Sequence, residues 1–505
     1  MSEEETSGGD DQDDHDNACL MLEDMEKRTE HVLMFSFFYT IMYIYGTHSV
    51  MTYVIFSVLE DSMKKSEEAK NRIVRVRTSW TKESARFSDR MFFRLFRMYR
   101  PCYNRLCTRI KMTVGERAFR SEDYIEELRA AGTMTPASRM YYASLHTTGE
   151  YIYGEIKVCL TLRFLAGASY LDLYLWYNSS CDHILNIVRE VIQKWFCNDS
   201  VMRINFYEDV LQNSARIERI NRKFSISSGG WMKGCFGSID GWLVKIRCPT
   251  LREVANPGKY MSRKGFFALN VQAIVDKDKK ILWRFIGQKG SAHDSTVFKQ
   301  SNLYNHLMLV ADQLYEKELY IVGDSAYALR GFLLCPYDNT RPNTPEDNFN
   351  FYLSSQQIHV ECAFGEIDRR FGIFWRPLEG NLKNHQHTID ACLRLHNFIL
   401  EFREEMKNNE LGIDSEEFER RELDIQSDNF MRLNTGARLG AVGGDSVQNR
   451  GRTSANETVE RDRGMEFRNK LRDTLAAAGM ARPEKNRKLV RVDKNNRAVE
   501  EHGNV

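Results

Sequence analysis

The chain has 505 residues, enough for about two or three domains and a sizeable core. Hydrophobic residues make up 42% and charged residues 28%, which excludes a wholly disordered chain. Lys and Arg number 71 against 70 Asp and Glu, so any basic surface for a polyanion must be local. The 11 cysteines include no C-x-x-C pair, which argues against a zinc ribbon or a disulfide framework. With no signal peptide in evidence, a reducing compartment is expected, the nucleus or else the cytoplasm.

Residues 1–17, "MSEEETSGGDDQDDHDN", read as an acidic tail unable to bury enough surface to fold. The apolar run 32–59 carries no Lys, Arg, Asp or Glu but is broken at Gly46–Ser49. Its pieces fall short of the roughly 20 apolar residues a membrane span needs. A membrane partner is therefore not expected; a buried helical hairpin is one alternative, and the role of this apolar segment within 1–80 is left open. Residues 81–225 read as a helical region. Within it, 155–196 places Leu160, Leu165, Leu171, Leu175, Ile184, Ile187, Val188 and Val191 at helical spacing. Breaks at Ala166–Ser169 and Asn178–Ser180 divide this stretch into three short helices, the last capped by Ser180 or Asp182. Such a unit is either a helix-turn-helix DNA reader or an ordinary bundle.

From about 234 the period changes. Segments 237–247, 266–276 and 281–288 read as strands, the last two joined by the hairpin turn "KDKK". A helix follows from Asp294, then a strand at 319–324, an irregular Pro- and Asn-rich stretch at 336–350, and a helix through "SSQQIHVECAFGEIDRRFGIF". This mixed order predicts an α/β domain over 234–402. Residues 403–505 read as a charged, loosely ordered tail with one amphipathic patch at 465–479.

Four acids stand out: Asp240 in "SIDGW", Asp294 in "SAHDST", Asp324 in "VGDSAY" and Glu361 in "IHVECAFG". Each has an ordinary role open to it. Asp294 is a good helix N-cap, Asp324 can cap a turn, and Glu361 can pair with Arg330 or Arg369. Taken together on buried elements, however, they would repel unless a cation joined them. An oxygen-only ligand set suits Mg²⁺ or Mn²⁺, and two such ions serve phosphoryl displacement.

The ordered blocks "GSIDG", "RKGFFALNVQAIVD", "GSAHDSTVF", "VGDSAYAL" and "VECAFGEIDRRFGIF", closing with "ACLRLHNFIL", resemble the DDE domain of PIF/Harbinger transposases and their domesticated nuclease relatives. The resemblance implies an RNase H-like fold preceded by a helix-turn-helix. It also implies catalytic Asp240, Asp324 and Glu361, with Asp294 as a further metal ligand. Trp242 and Glu366 depart from the family pattern and are expected to alter substrate contacts. DNA would be held by Arg263, Lys264, Arg369, Arg370 and Arg376. The family works with a separate Myb-like protein that reads DNA and assists nuclear import; self-association is left open. The leading expectation is thus a metal-dependent DNA endonuclease or transposase. The alternative is a domesticated, catalytically silent DNA- or protein-binding module.

Overall fold

The computed structural model describes residues 84–120, 127, 130–131, 152–407 and 455–482, with a short strand pair at 491–492 and 498–499. The apolar run 32–59 lies outside these residues. Among the described residues no helix is long and apolar enough to cross a membrane.

The centre is a five-stranded sheet in the order β3-β2-β1-β4-β5, formed by β1 (Cys235–Lys245), β2 (Ala268–Val275), β3 (Ile281–Lys289), β4 (Tyr320–Val322) and β5 (Leu333–Leu334). The first three are antiparallel, and β4 and β5 run parallel to β1. The β2–β3 hairpin closes at the expected "KDKK" for a local reason. Asp276 Oδ1 accepts the backbone N–H groups of Asp278 and Lys280, both at 2.9 Å, and Lys279 takes a left-handed φ of 68°. The mixed α/β expectation holds, in a topology consistent with an RNase H-like domain.

Helices α1 (Asp89–Phe96) and α2 (Arg100–Val114) precede three short ones, α3 (Gly154–Leu165), α4 (Tyr170–Tyr177) and α5 (Cys181–Glu190). The chain breaks where its residues predict. Ser169 and Asp172 form a capping box at the head of α4, Asn178 ends it in the left-handed region, and the Ser180 hydroxyl accepts His183 N–H to start α5. These helices share a core with the sheet. Leu160, Leu165, Ile184 and Val188 pack in one cluster with Val271, Ala273 and Val275 of β2. Gly167, at φ 104°, lets the α3–α4 turn approach Gly372 so closely that a Cβ would lie 3.0 Å from the Gly372 carbonyl carbon.

Helix α6 (Ser214–Ser227) leads into β1, and α7 (Asp294–Lys299), α8 (Asn302–Leu309) and α9 (Ala311–Glu316) lie between β3 and β4. The two long helices are α10 (Pro345–Arg370) and α11 (Leu382–Lys407). Helix α10 begins inside the stretch expected to be irregular. Pro345 occupies its first turn, the Thr344 hydroxyl accepts Asp347 N–H at 3.3 Å, and Glu346 and Asp347 suit the positive helix end.

Residues 455–477, expected within a loosely ordered tail, form helix α12 against α10 and β5. Phe467 packs edge-on to the buried Tyr320 ring of β4 at 5.1 Å. Polar partners align the rest: Glu457 with Arg330 at 3.3 Å, Arg463 with Asp312 at 2.6 Å, and Arg472 with Glu346 at 3.1 Å.

Candidate active site

Asp240 sits at the middle of β1, opposite Ala273 of β2. Side chains on a strand alternate between faces. Ala273 belongs to the cluster that includes Val360, Ala363 and Phe364 of α10, so Asp240 points toward that helix. Its Oδ1 accepts Gly241 N–H at 2.7 Å, leaving the other oxygen without that bond. Burial first, then the charge of Asp324 with smaller contributions from Asp294 and Glu361, pushes its pKa from 3.8 up to about 8, against the Gly241 hydrogen bond.

Asp324 follows β4 by two residues. Ser238 of β1 pairs with Val322, so continuing the register sets Asp324 beside Asp240. Gly323 turns its Cα toward Ile239 and Tyr327, which sends Asp324 to the opposite face, the face of Asp240. The turn-capping role is real: Asp324 Oδ1 accepts Ala326 N–H at 3.0 Å. It does not use up the carboxylate. Burial raises the Asp324 pKa to about 6, with Asp294 and Glu361 adding to the rise, while Ala326 N–H and the Arg263 guanidinium oppose it.

Glu361 is on α10, but not on an apolar face. Val360, Ala363, Phe364 and Ile367 are buried, whereas Glu361 is exposed at the edge of that stripe. Its charge acts on both Asp240 and Asp324. The ion-pair alternatives do not form: Arg330 is committed to Glu457, and Arg369 Nε donates to the Gly365 carbonyl at 3.1 Å. The three acids therefore share a face and a field. Among the described residues, no group of three His, Cys, Asp or Glu side chains is arranged as a ready metal site.

Asp294 belongs to the same field, acting on both Asp240 and Asp324, but reaches it from a different element and with different partners. It opens α7 without capping it through its own side chain. Its Oδ1 instead accepts Asn270 Nδ2 at 2.9 Å and Gln272 Nε2 at 3.1 Å. A Cβ on Gly241 would fall 2.3 Å from the same oxygen. Gly241 and Gln272 face each other across β1 and β2, one residue out of step with Asp240 and Ala273. Asp294 thus lies behind β1, on the face Asp240 turns away from.

The basic residues divide as well. Arg263 and Lys264 are exposed on the loop before β2, and Arg263 is near enough to hold down the Asp324 pKa. Arg369 and Arg376 are exposed. Arg370 is not a surface DNA contact. One residue is 100° of helix rotation, which carries it inward beside Glu366, Cys102 and Tyr99, where burial lowers its pKa.

The two departures from the family pattern are partly buried and engaged within the protein. Trp242 stacks on Phe364 of α10 at 5.6 Å and meets Phe374 edge-on at 4.9 Å. Glu366 forms an ion pair with Lys279. Sequence reasoning missed Asn270, Gln272 and Gly241; two buried amides alternating on an otherwise apolar strand were the available signal.

The family model described as DDE superfamily endonuclease matches residues 239–397. "Protein ALP1-like" of Arabidopsis thaliana is 28% identical over 204 residues, 38% of this chain and 48% of that protein. "Putative nuclease HARBI1" of Homo sapiens is 28% identical over 197 residues, 37% of this chain and 52% of that protein, and its Bos taurus counterpart is 27% identical over the same length. The chain thus spans about half the length of these relatives. No solved structure matches.

Proposed function

We propose that this chain, whose residues 239–397 belong to the DDE superfamily endonucleases, cuts DNA phosphodiester bonds using Asp240, Asp324 and Glu361 with divalent cations. The observation that carries the reading is the shared face of Asp240 and Asp324 on neighbouring strands, with the charge of Glu361 reaching both. The donor chemistry fits Mg²⁺ or Mn²⁺, being carboxylate throughout. Asp240 and Asp324 each spend one oxygen on a backbone N–H, which fixes the carboxylate while leaving a second oxygen to coordinate. Bound cations would supply Lewis-acid activation of water and neutralise charge on the phosphate. Arg263 faces the same field from the protein side and is suited to orient a phosphate. Lys264, Arg369 and Arg376 extend the exposed basic surface along which the backbone would run.

In this reading α5 contributes to DNA contact through its exposed Asp182, His183, Asn186 and Arg189. Nuclear residence and a separate Myb-like DNA-reading partner belong to the same proposal. A domesticated, catalytically silent DNA- or protein-binding module is the second reading, in which the exposed Arg263, Lys264, Arg369 and Arg376 would hold DNA without cutting it. Incubating the full chain with duplexes carrying candidate terminal repeats, with Mg²⁺, Mn²⁺ or EDTA, separates the two. Cation-dependent cutting supports the nuclease; binding without cutting supports the module.

A further inference from the structure

Behind the catalytic strand lies a buried polar cluster that the three-acid site does not use. Asn270 and Gln272 are 2% and 0% exposed on a strand otherwise built of Ala, Leu, Val and Ile. Both aim their amide nitrogens at one oxygen, Asp294 Oδ1. Gln272 also donates to the Asp294 backbone carbonyl at 3.0 Å, and Asn270 to the Ala292 carbonyl at 3.4 Å. The carboxylate so held is pressed against the Cα of Gly241, the residue after Asp240. Buried polar groups are costly unless they are placed to bond. Here both amide nitrogens converge on Asp294 Oδ1, with further bonds to the Asp294 and Ala292 carbonyls.

We infer that Asp294 is a positioning residue rather than a metal ligand: Asn270 and Gln272 clamp its carboxylate against Gly241, which fixes the β1 backbone that presents Asp240. The geometry explains why the residue after Asp240 has no side chain. A methyl at 241 would sit 2.3 Å from Asp294 Oδ1 and 2.9 Å from its Cγ. Although the charge of Asp294 reaches Asp324, the clamp predicts a chemical difference between the two that substitution can read. A positioning acceptor needs an oxygen at that point and no charge, whereas a ligand needs the charge.

The metal arm of the test rests on the nuclease reading above, and the stability arm does not. In the full chain, Asp294→Asn keeps an acceptor oxygen for the two amides. It should bind Mn²⁺ as wild type in an electron paramagnetic resonance titration without DNA, and cut DNA within about tenfold of wild type. Asp324→Asn should lose Mn²⁺ affinity and at least about a hundredfold in cleavage. Asp294→Ala should lose cleavage that Asn retains. Independently of any cation, Gly241→Ala should lower the melting temperature in the wild-type background and far less in the Asp294→Ala background, where the methyl has room. If Asp294→Asn loses Mn²⁺ binding as Asp324→Asn does, Asp294 is a ligand and the inference is wrong. If wild type neither binds Mn²⁺ nor cuts, the nuclease reading fails. The clamp is then judged by melting alone: equal Gly241→Ala losses in both backgrounds overturn it, and coupled losses uphold it.

Discussion

Replacing Asp240 by Asn should stabilise the cation-free protein while abolishing its cleavage. The carboxyl is lifted from 3.8 to about 8, first by burial and then by Asp324, Asp294 and Glu361. An unfolded chain ionises this group near 3.8, whereas the folded chain holds the proton to about 8. Folding stability therefore falls as pH rises across that window and is independent of the group below it. At about 1.4 kcal/mol per unit, the gap has an upper bound of roughly 5–6 kcal/mol. Water at this half-buried site reduces the realised cost to about 2 kcal/mol, or a melting shift of about 4 °C. Asn retains the acceptor for Gly241 N–H and removes only the charge. The assay is thermal melting of both proteins from pH 4 to pH 8.5 in EDTA, repeated with Mn²⁺. The variant should melt higher at pH 8, converge with wild type near pH 4, and gain less from Mn²⁺. A variant less stable than wild type at pH 8, or a gap that ignores pH, would refute the reasoning.

Two further expectations follow from the placement of charged groups. Arg263→Ala should weaken DNA binding and reduce its salt slope by about one, whereas Arg370→Ala should leave the slope unchanged and lower the melting temperature, because only Arg263 faces solvent beside the acids. His396 is fully buried, accepts no charge cheaply, and has its pKa lowered from 6.5 to about 4 by burial and by Arg370. Its contribution is intact above 6.5 and is lost as pH falls toward 4, by roughly 3 kcal/mol in total. A His396→Gln variant, melted across that range, should show a shallower acid loss than wild type.

What was legible in the residues was mostly what strand and cap chemistry dictate locally. β1 to β3, the turn at 277–280, the breaks at 166–169 and 178–180, and the Ser180 cap all depend on neighbours within a few positions. The start of α10 was equally local, since "TPED" carries a cap, a first-turn proline and two acids, but the surrounding Pro and Asn obscured it. The faces were harder. Whether Asp294 stands before or behind β1 depends on the β1–β2 register and on where α7 docks, neither of which sequence spacing encodes. Arg369 and Arg370 looked equivalent as a basic pair, yet helix rotation separates them. α12 was hidden because its charged residues find partners such as Arg330 and Asp312 more than a hundred residues away.

The central claim is that the acids facing α10 make this chain a cation-dependent nuclease, and the most direct measurement is the cleavage rate of wild type against Asp324→Asn on one DNA substrate. Both proteins should bind that DNA with similar affinity, because Asp324 is not a phosphate-binding cation. Wild type should cut with Mg²⁺ or Mn²⁺ and stop in EDTA, and the variant should cut at least about a hundredfold more slowly. Equal cutting by the two proteins, or binding by wild type with no cutting under any divalent cation, would contradict the account.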